Sequence, residues 1–305
     1  MRAMGFGDNI IDRFTDRKVV YPGGNCVNFA VFARQLGAES AYLGVFGTDA
    51  YAGAMRGALT SLGVDISECV TVEGESGLTD IYVSEGERVF GEWNGGGVTV
   101  AHPIVLTDRF IDYLSGFDIV HSSAYSSLES QLPRLREIDC PVSFDFSDEP
   151  VNRSPEYLDR VAPYVDLALF SCSAQSADET RTLLADAVRR GAQASLGTRG
   201  TGGAIFFDGT DFHEGDAVVV NDPIGFVDTM GCGDAFLTAF ALDLLQSGWS
   251  RDTVPGASAC ARALRVGAEN AARQCLVEGA FGHGRRYGST PSGSLWVEDL
   301  TDQTR

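Results

Sequence analysis

Asp228-Thr229-Met230-Gly231-Cys232-Gly233-Asp234 runs directly into Ala235-Phe236-Leu237-Thr238-Ala239-Phe240-Ala241-Leu242-Asp243-Leu244-Leu245, and this junction decides how the chain is read. The second segment is too long and too continuously apolar for an ordinary strand, and Gly248 stands where a helix would stop, so it predicts a buried helix. Its N-terminus would present unpaired N–H groups and the positive end of the helix dipole to an anion, while Gly231 and Gly233 let the backbone come close. Asp234 places a carboxylate beside that anion site. The combination suits phosphoryl transfer: the acid takes a hydroxyl proton while the amides of Gly231, Cys232 and Gly233 hold charge developing on the phosphate. Taken alone, the seven residues fit a capping aspartate beside a tight turn equally well.

Upstream, Tyr21-Pro22-Gly23-Gly24-Asn25-Cys26-Val27-Asn28-Phe29-Ala30 opens another helix. The pair Gly-Gly-x-x-x-Asn and Asp-Thr-x-Gly-[Ala/Cys]-Gly-Asp, in this order and far apart, resembles the two signatures of the ribokinase-like (PfkB) family of sugar and nucleoside kinases, and the similarity extends over residues 3–282. The resemblance implies an α/β, three-layer fold with a mostly parallel central sheet, helices on both faces, and a small β-sheet lid over the sugar. It also implies ATP as donor, Mg²⁺ as its companion, and a homodimer formed through the lid.

The chain itself agrees with one such domain. It has 305 residues, 44% hydrophobic residues and a mean hydropathy of -0.02, enough for a large core. No apolar run reaches membrane-spanning length, and Met1-Arg2-Ala3-Met4-Gly5-Phe6 reads as a strand rather than a leader, so the expected location is the cytoplasm. A formal charge of -19, with Lys18 the single lysine, argues against a nucleic-acid partner. Seven scattered cysteines without a C-x-x-C pair argue against a disulfide framework or structural zinc.

Elements alternate as a parallel, helix-covered sheet requires. Helices are expected at 25–36 and 49–62, and strands at 41–46, 117–121, 142–146 and 167–170, with Asp145, Ser171 and Gly197 at strand carboxyl ends, where such sheets bind ligands. Two stretches, 11–20 and 78–93 with a turn at Glu85-Gly86-Glu87, read as a separate antiparallel piece, the lid. Residues 283–305 are Gly/Ser-rich and expected to be a flexible tail.

A third motif, Ala194-Ser195-Leu196-Gly197-Thr198-Arg199-Gly200-Thr201-Gly202-Gly203, is a strand entering a glycine-rich turn. It lacks the ending of a Walker loop and opens no Rossmann-type helix, and alone it fits a tight hairpin. The family resemblance puts Ser195, Gly197 and Gly200 along the ATP phosphates and ribose, and Asn270 beside adenine. One departure stands out: most relatives have Asn-x-x-Glu where this chain has Ser171-Cys172-Ser173-Ala174, leaving Glu179 as a late substitute or a solvated first-turn acid, and no metal ligand is assigned. Asp12, Gly24, Asn25 and Asn28 are expected to meet sugar hydroxyls, and Arg88 an anionic group of the substrate, since its planar fork suits a carboxylate. Within the family, the combination of motifs resembles kinases that phosphorylate the 6-hydroxyl of fructoselysine. Alternatives are kinases for fructose, a keto-deoxy sugar acid or a nucleoside, or a catalytically silent sugar or nucleotide sensor.

Overall fold

Successive residues of the short apolar strands face two different cores, which is why these strands read as unbroken hydrophobic runs. In this computed structural model, residues 1–84, 87–220, 227, 229–288 and 295–300 are described. The first half of the chain forms β1 (Arg2–Gly7), β2 (Ile10–Phe14), β3 (Val19–Gly23), α1 (Asn25–Gln35), β4 (Glu39–Phe46), α2 (Ala50–Ser61), β5 (Val70–Thr71), β6 (Gly77–Ser84), β7 (Glu87–Trp93), α3 (Gly97–Ala101), α4 (Asp108–Leu114), β8 (Ile119–Ser123) and β9 (Val142–Asp145). The second half forms α5 (Pro155–Val161), β10 (Leu167–Ser171), α6 (Ala177–Arg189), β11 (Ala194–Thr198), β12 (Ala204–Phe207), β13 (Phe212–Gly215), α7 (Cys232–Gln246), α8 (Ala257–Gln274), β14 (Arg285–Tyr287) and β15 (Trp296–Asp299).

The main sheet runs β13-β12-β11-β10-β9-β8-β1-β4-β5, parallel from β5 to β11 and antiparallel at β12 and β13. Ala3, Ile119, Leu167, Leu169 and Leu196 point to one side, where Phe29 of α1, Phe240 of α7 and Leu264 of α8 cover them. Met4, Val120, Ala168 and Phe170 point to the other, against Ile111, Leu158 and Leu184 of α4, α5 and α6. Each fully buried aromatic or leucine of these layers contributes about 1.5–3 kcal/mol. The three-layer α/β architecture is therefore the one the sequence implies. No helix among the described residues is long and apolar enough to cross a membrane.

A second, smaller sheet has the order β15-β14-β3-β2-β6-β7. Its hairpins β2–β3 and β6–β7 are antiparallel, as expected for 11–20 and 78–93, but β2 and β6 pair in parallel, from Ile10 opposite Gly77 to Phe14 opposite Ile81. The reason is topological: the chain leaves after β3 to build α1, β4, α2 and β5 before it returns. Residues 85–86 of the expected turn lie outside the described residues.

The C-terminal region departs from expectation. Residues 285–287, read as part of a flexible tail with 296–299, pair antiparallel with β3 on one side and with 296–299 on the other. Trp296 meets Tyr51 edge-on at 5.6 Å, and Tyr287, Trp296 and Leu300 pack against the core beneath α1 and α2. Three apolar residues behind a run of glycines and serines suffice because they cover a sheet edge already formed. Ending the chain after Gly282 is expected to lower Tm by roughly 4 °C or more, as scanning calorimetry would register; an unchanged Tm would show that these strands contribute nothing.

Candidate active site

α1 begins at Gly24, whose φ of 108° is strained for any side chain and where a Cβ would lie 2.8 Å from Asp8 Oδ2. This glycine lets the helix start directly against the carboxyl end of β1. Asn25 and Asn28, three residues apart on neighbouring positions of the helix surface, then reach two other elements. Asn25 Nδ2 donates to Asp145 Oδ2 at the end of β9 over 2.8 Å, and Asn28 Nδ2 donates to Asp234 Oδ2 in the first turn of α7 over 2.7 Å.

α7 starts at Gly231, in the left-handed region with φ 72°, and no side chain caps it. Ala235 N–H bonds the Gly231 carbonyl at 2.8 Å, so the amides of Gly233 and Asp234 have no acceptor inside the helix. The Cys232 amide, expected to hold phosphate, instead donates to the Thr229 carbonyl at 3.3 Å, because the tight turn into the helix brings that oxygen under it. Cys232 Sγ lies 3.4 Å from Cys275 Sγ, and the residue does not line the cavity beside Asp234. The amides left without an acceptor at the start of α7 are therefore those of Gly233 and Asp234. Asp228 lies outside the described residues.

That cavity holds about 590 Å³. Its floor is Gly231, Gly233 and Asp234 with Gly24, Asn25 and Asn28; Asp8 and Asp12 stand on one flank; Thr79, Phe90, Gly91 and Trp93 of β6 and β7 enclose it from the lid. Ser147, Asp148 and Glu149, following β9, complete the wall with Tyr125. Asp12, Gly24, Asn25, Asn28, Gly231, Gly233 and Asp234 therefore line one cavity. Arg88 is on β7 opposite Val83.

Crowding of acids sets the electrostatics. Burial, and then the charges of Asp8, Glu149 and Asp148, push the Asp145 carboxyl up to about 7, against the pull of the Ser147 N–H that donates to it at 2.6 Å. Asp234 is raised well above the usual carboxylate range by burial first and the Asp145 charge second, with the Asn28 hydrogen bond opposing. A buried carboxyl with raised proton affinity, beside two unclaimed helix amides, can accept a proton from an alcohol next to a bound anion.

Sequence reasoning assigned no site role to Asp8, Tyr125 or the 147–149 loop. Asp8 follows the last residue of β1, and its Oδ1 accepts from Ser123 Oγ at 2.7 Å and Ser126 Oγ at 3.1 Å. Its strand-end position was the available signal. The nucleotide-side expectations fare less well. Ser195 is fully buried, and its hydroxyl donates to the Leu184 carbonyl of α6 at 3.0 Å. Gly197, two residues on and so on the same face, has Thr180 of α6 where a Cβ would be, at 2.6 Å. Both serve sheet-to-helix packing. Gly200, with φ 56°, is exposed in the turn beyond β11. Asn270 lines a separate cavity with Phe32, Gln35 and Arg273 and donates to the Val266 carbonyl at 2.8 Å. Glu179 closes a capping box with Ser176 at the start of α6 and takes no part in the Asp234 cavity, as a first-turn acid would. The Ser-x-x-Glu spacing announces that role.

Residues 15–275 match the profile described as "pfkB family carbohydrate kinase". The fructosamine kinase FrlD of Bacillus subtilis is 36% identical over 96% of this chain and 98% of its own length, and the fructoselysine 6-kinase of Escherichia coli is 33% identical over 90% and 97%. In fold, the chain resembles the aminoimidazole riboside kinase of Salmonella enterica, solved with aminoimidazole riboside and an ATP analogue, with TM-score 0.71, 18% identity and coverage of 92% and 95%.

The raised Asp145 fixes the sign of a stability effect. Its folded value of about 7 exceeds the ordinary 3.8, so its contribution is fully present below the ordinary value and is lost as pH rises through about 7. Asp145→Asn is therefore expected to raise the Tm of the ligand-free protein relative to wild type, by an increment that grows from pH 5 to pH 8. A difference that is flat or shrinks with pH would contradict the assignment.

Proposed function

The chain belongs to the PfkB family of carbohydrate kinases and is an ATP-dependent sugar kinase, and we propose that it transfers the γ-phosphate to a primary hydroxyl of a fructose-type sugar, the 6-hydroxyl of fructoselysine or a related fructosyl amino acid. The observation that carries this reading is Asp234: buried, oriented by Asn28, and placed at an uncapped helix N-terminus on the floor of a lid-covered cavity.

A helix start with glycine at its cap and second position and no side chain over it suits a phosphate. ATP then lies with its terminal phosphate against the amides of Gly233 and Asp234, and Gly200 flanks the remainder of the nucleotide. Mg²⁺ bound with ATP would neutralise charge on the phosphate oxygens. The sugar sits under β6 and β7, where Asp12 accepts from its hydroxyls and Asn25 and Asn28 hold the carboxylates that meet it. Asp234 takes the proton of the acceptor hydroxyl as the phosphate arrives. The lid excludes water, which would otherwise compete for the phosphate and weaken these hydrogen bonds. Arg88 on the lid meets the carboxylate of the amino acid, and the lid sheet pairs with that of a second copy.

Asp234→Asn is expected to lower kcat by ~10²–10⁴-fold while ATP affinity, measured by calorimetry, stays near wild type; turnover close to wild type would remove Asp234 as the base. A coupled ADP-release assay over fructoselysine, other fructosyl amino acids, fructose, a keto-deoxy sugar acid and adenosine should give the highest kcat/KM on a fructosyl amino acid. Arg88→Ala should reduce that kcat/KM, and an unchanged value would exclude a carboxylate contact.

A further inference from the structure

The Asp234 cavity is rich in acceptors and poor in everything that could satisfy them. Asp8, Asp12, Asp145, Asp148, Glu149 and Asp234 all line it, and no lysine, arginine or histidine is among its described lining residues. Three of its side-chain donors are already engaged: Asn25 with Asp145, Asn28 with Asp234, and the Tyr125 hydroxyl with Glu149 and Ser147. Asp8 Oδ2 and Asn28 Oδ1 have no partner, although the two side chains belong to residues only 1% and 5% exposed. Buried polar atoms of this kind are ordinarily satisfied, so a ligand that fits the site must bring donors. Sugar hydroxyls supply donors but no charge. ATP with its metal is anionic, so an acceptor that carries a positive charge would offset these carboxylates.

Resting on the kinase reading above, we infer that the loop after β9, through Asp148 and Glu149, reads a protonated amine attached to the sugar away from the hydroxyl that is phosphorylated. The other carboxylates are committed elsewhere. Asp234 meets the acceptor hydroxyl. Asp145 has one oxygen on Asn25 and the other on the Ser147 N–H, and Asp8 lies beneath Gly24 with Oδ1 held by two serines. Asp148 is exposed, with a single 3.3 Å contact from Ser147 Oγ, and Glu149 is half-buried, with Tyr125 on Oε1 and Asn152 on Oε2 at 3.3 Å.

The loop is built to hold its shape. Ser147 has φ 61°, its N–H is fixed by Asp145, and the Arg153 guanidinium donates to the carbonyls of Ser147 and Ser171. Phe90 and Trp93 of β7, 66% and 53% exposed, line the same cavity from the lid. Aromatic faces opposite carboxylates form a setting suited to an alkylammonium, whose charge one wall attracts and whose methylenes the other covers. The charges of Asp148 and Glu149 also hold Asp145 up, and a cation between them would relieve that repulsion.

The test compares 1-butylamino-1-deoxyfructose, whose amine is its only cation, with its N-acetyl derivative, which is neutral, and with fructose. Steady-state kinetics are run on wild type and on the Asp148→Asn, Glu149→Gln double variant, whose folding is checked by thermal melting. Wild type should prefer the amine over the amide in kcat/KM by about ten-fold or more, and the ratio should collapse toward one in the variant. The same ratio in both proteins, or equal use of amine and amide by wild type, overturns the inference. So does a loss common to all three acceptors that is restored by raised Mg²⁺, which would assign the loop to the metal. Failure of wild type to phosphorylate any of the three would overturn the fructose-kinase reading and this inference with it.

Discussion

Two carboxylates in one buried space, each held by an amide from the same helix turn, are what this site depends on. Asn25 holds Asp145 and Asn28 holds Asp234, tying the end of β9 and the start of α7 to α1. An ionised carboxylate out of water costs far more than a single hydrogen bond returns, and each acid adds to the other's cost. Burial and the neighbouring acid raise the proton affinity of both carboxyls, and the Asn28 hydrogen bond opposes that shift at Asp234. A hydrogen bond to a charged group is worth about 1.5–3 kcal/mol, enough to orient Asp234.

The fold's topology places these groups within reach of one another. β1, β8, β9 and β10 are parallel neighbours whose carboxyl ends share one edge, so Asp8 and Asp145 come together although they are far apart in the chain. β2 and β3 lead from that edge into α1, while β6 and β7 return to the same small sheet and bring aromatic side chains over the cavity. Because the lid is hydrogen-bonded to the strands that deliver α1, the cavity floor on α1 and its cover are one continuous piece. Its outer rows include β14 and β15, so residues 285–287 and 296–299 extend the lid sheet.

Local patterns carried most of the fold. The run after Gly233 is helical because it is apolar beyond strand length, and the short strands are legible because burial on both faces leaves no polar alternation. Site residues at helix starts were equally legible, since Gly24 and Gly231 mark places where the backbone adopts conformations that side chains resist. What was hidden depended on direction or distance. Ser195 belongs to a glycine-rich motif, yet the two-residue repeat of a strand turns it toward α6. Trp296 follows a run of small polar residues that outweighs it in any composition window. The Asp145–Asp234 repulsion joins residues 89 positions apart, and nothing local in either segment records the other.

The site's charge distribution gives a physical account of how an acidic protein of net charge -19 can use an anionic nucleotide. Long-range repulsion between exposed charges is screened within about 10 Å at ordinary ionic strength, so the local field governs. At the α7 terminus that field comes from the amides of Gly233 and Asp234 and is positive; along Asp145, Asp148 and Glu149 it is negative. Asp234 has its amide in the first region and its carboxylate facing the second. In the proposed reaction, an acceptor that carries a cation toward the acidic wall would lower the cost of negative charge on Asp234, while the phosphate it attacks would be held by the opposite polarity. Proton removal and phosphate capture would then be served by fields of opposite sign separated by a single residue.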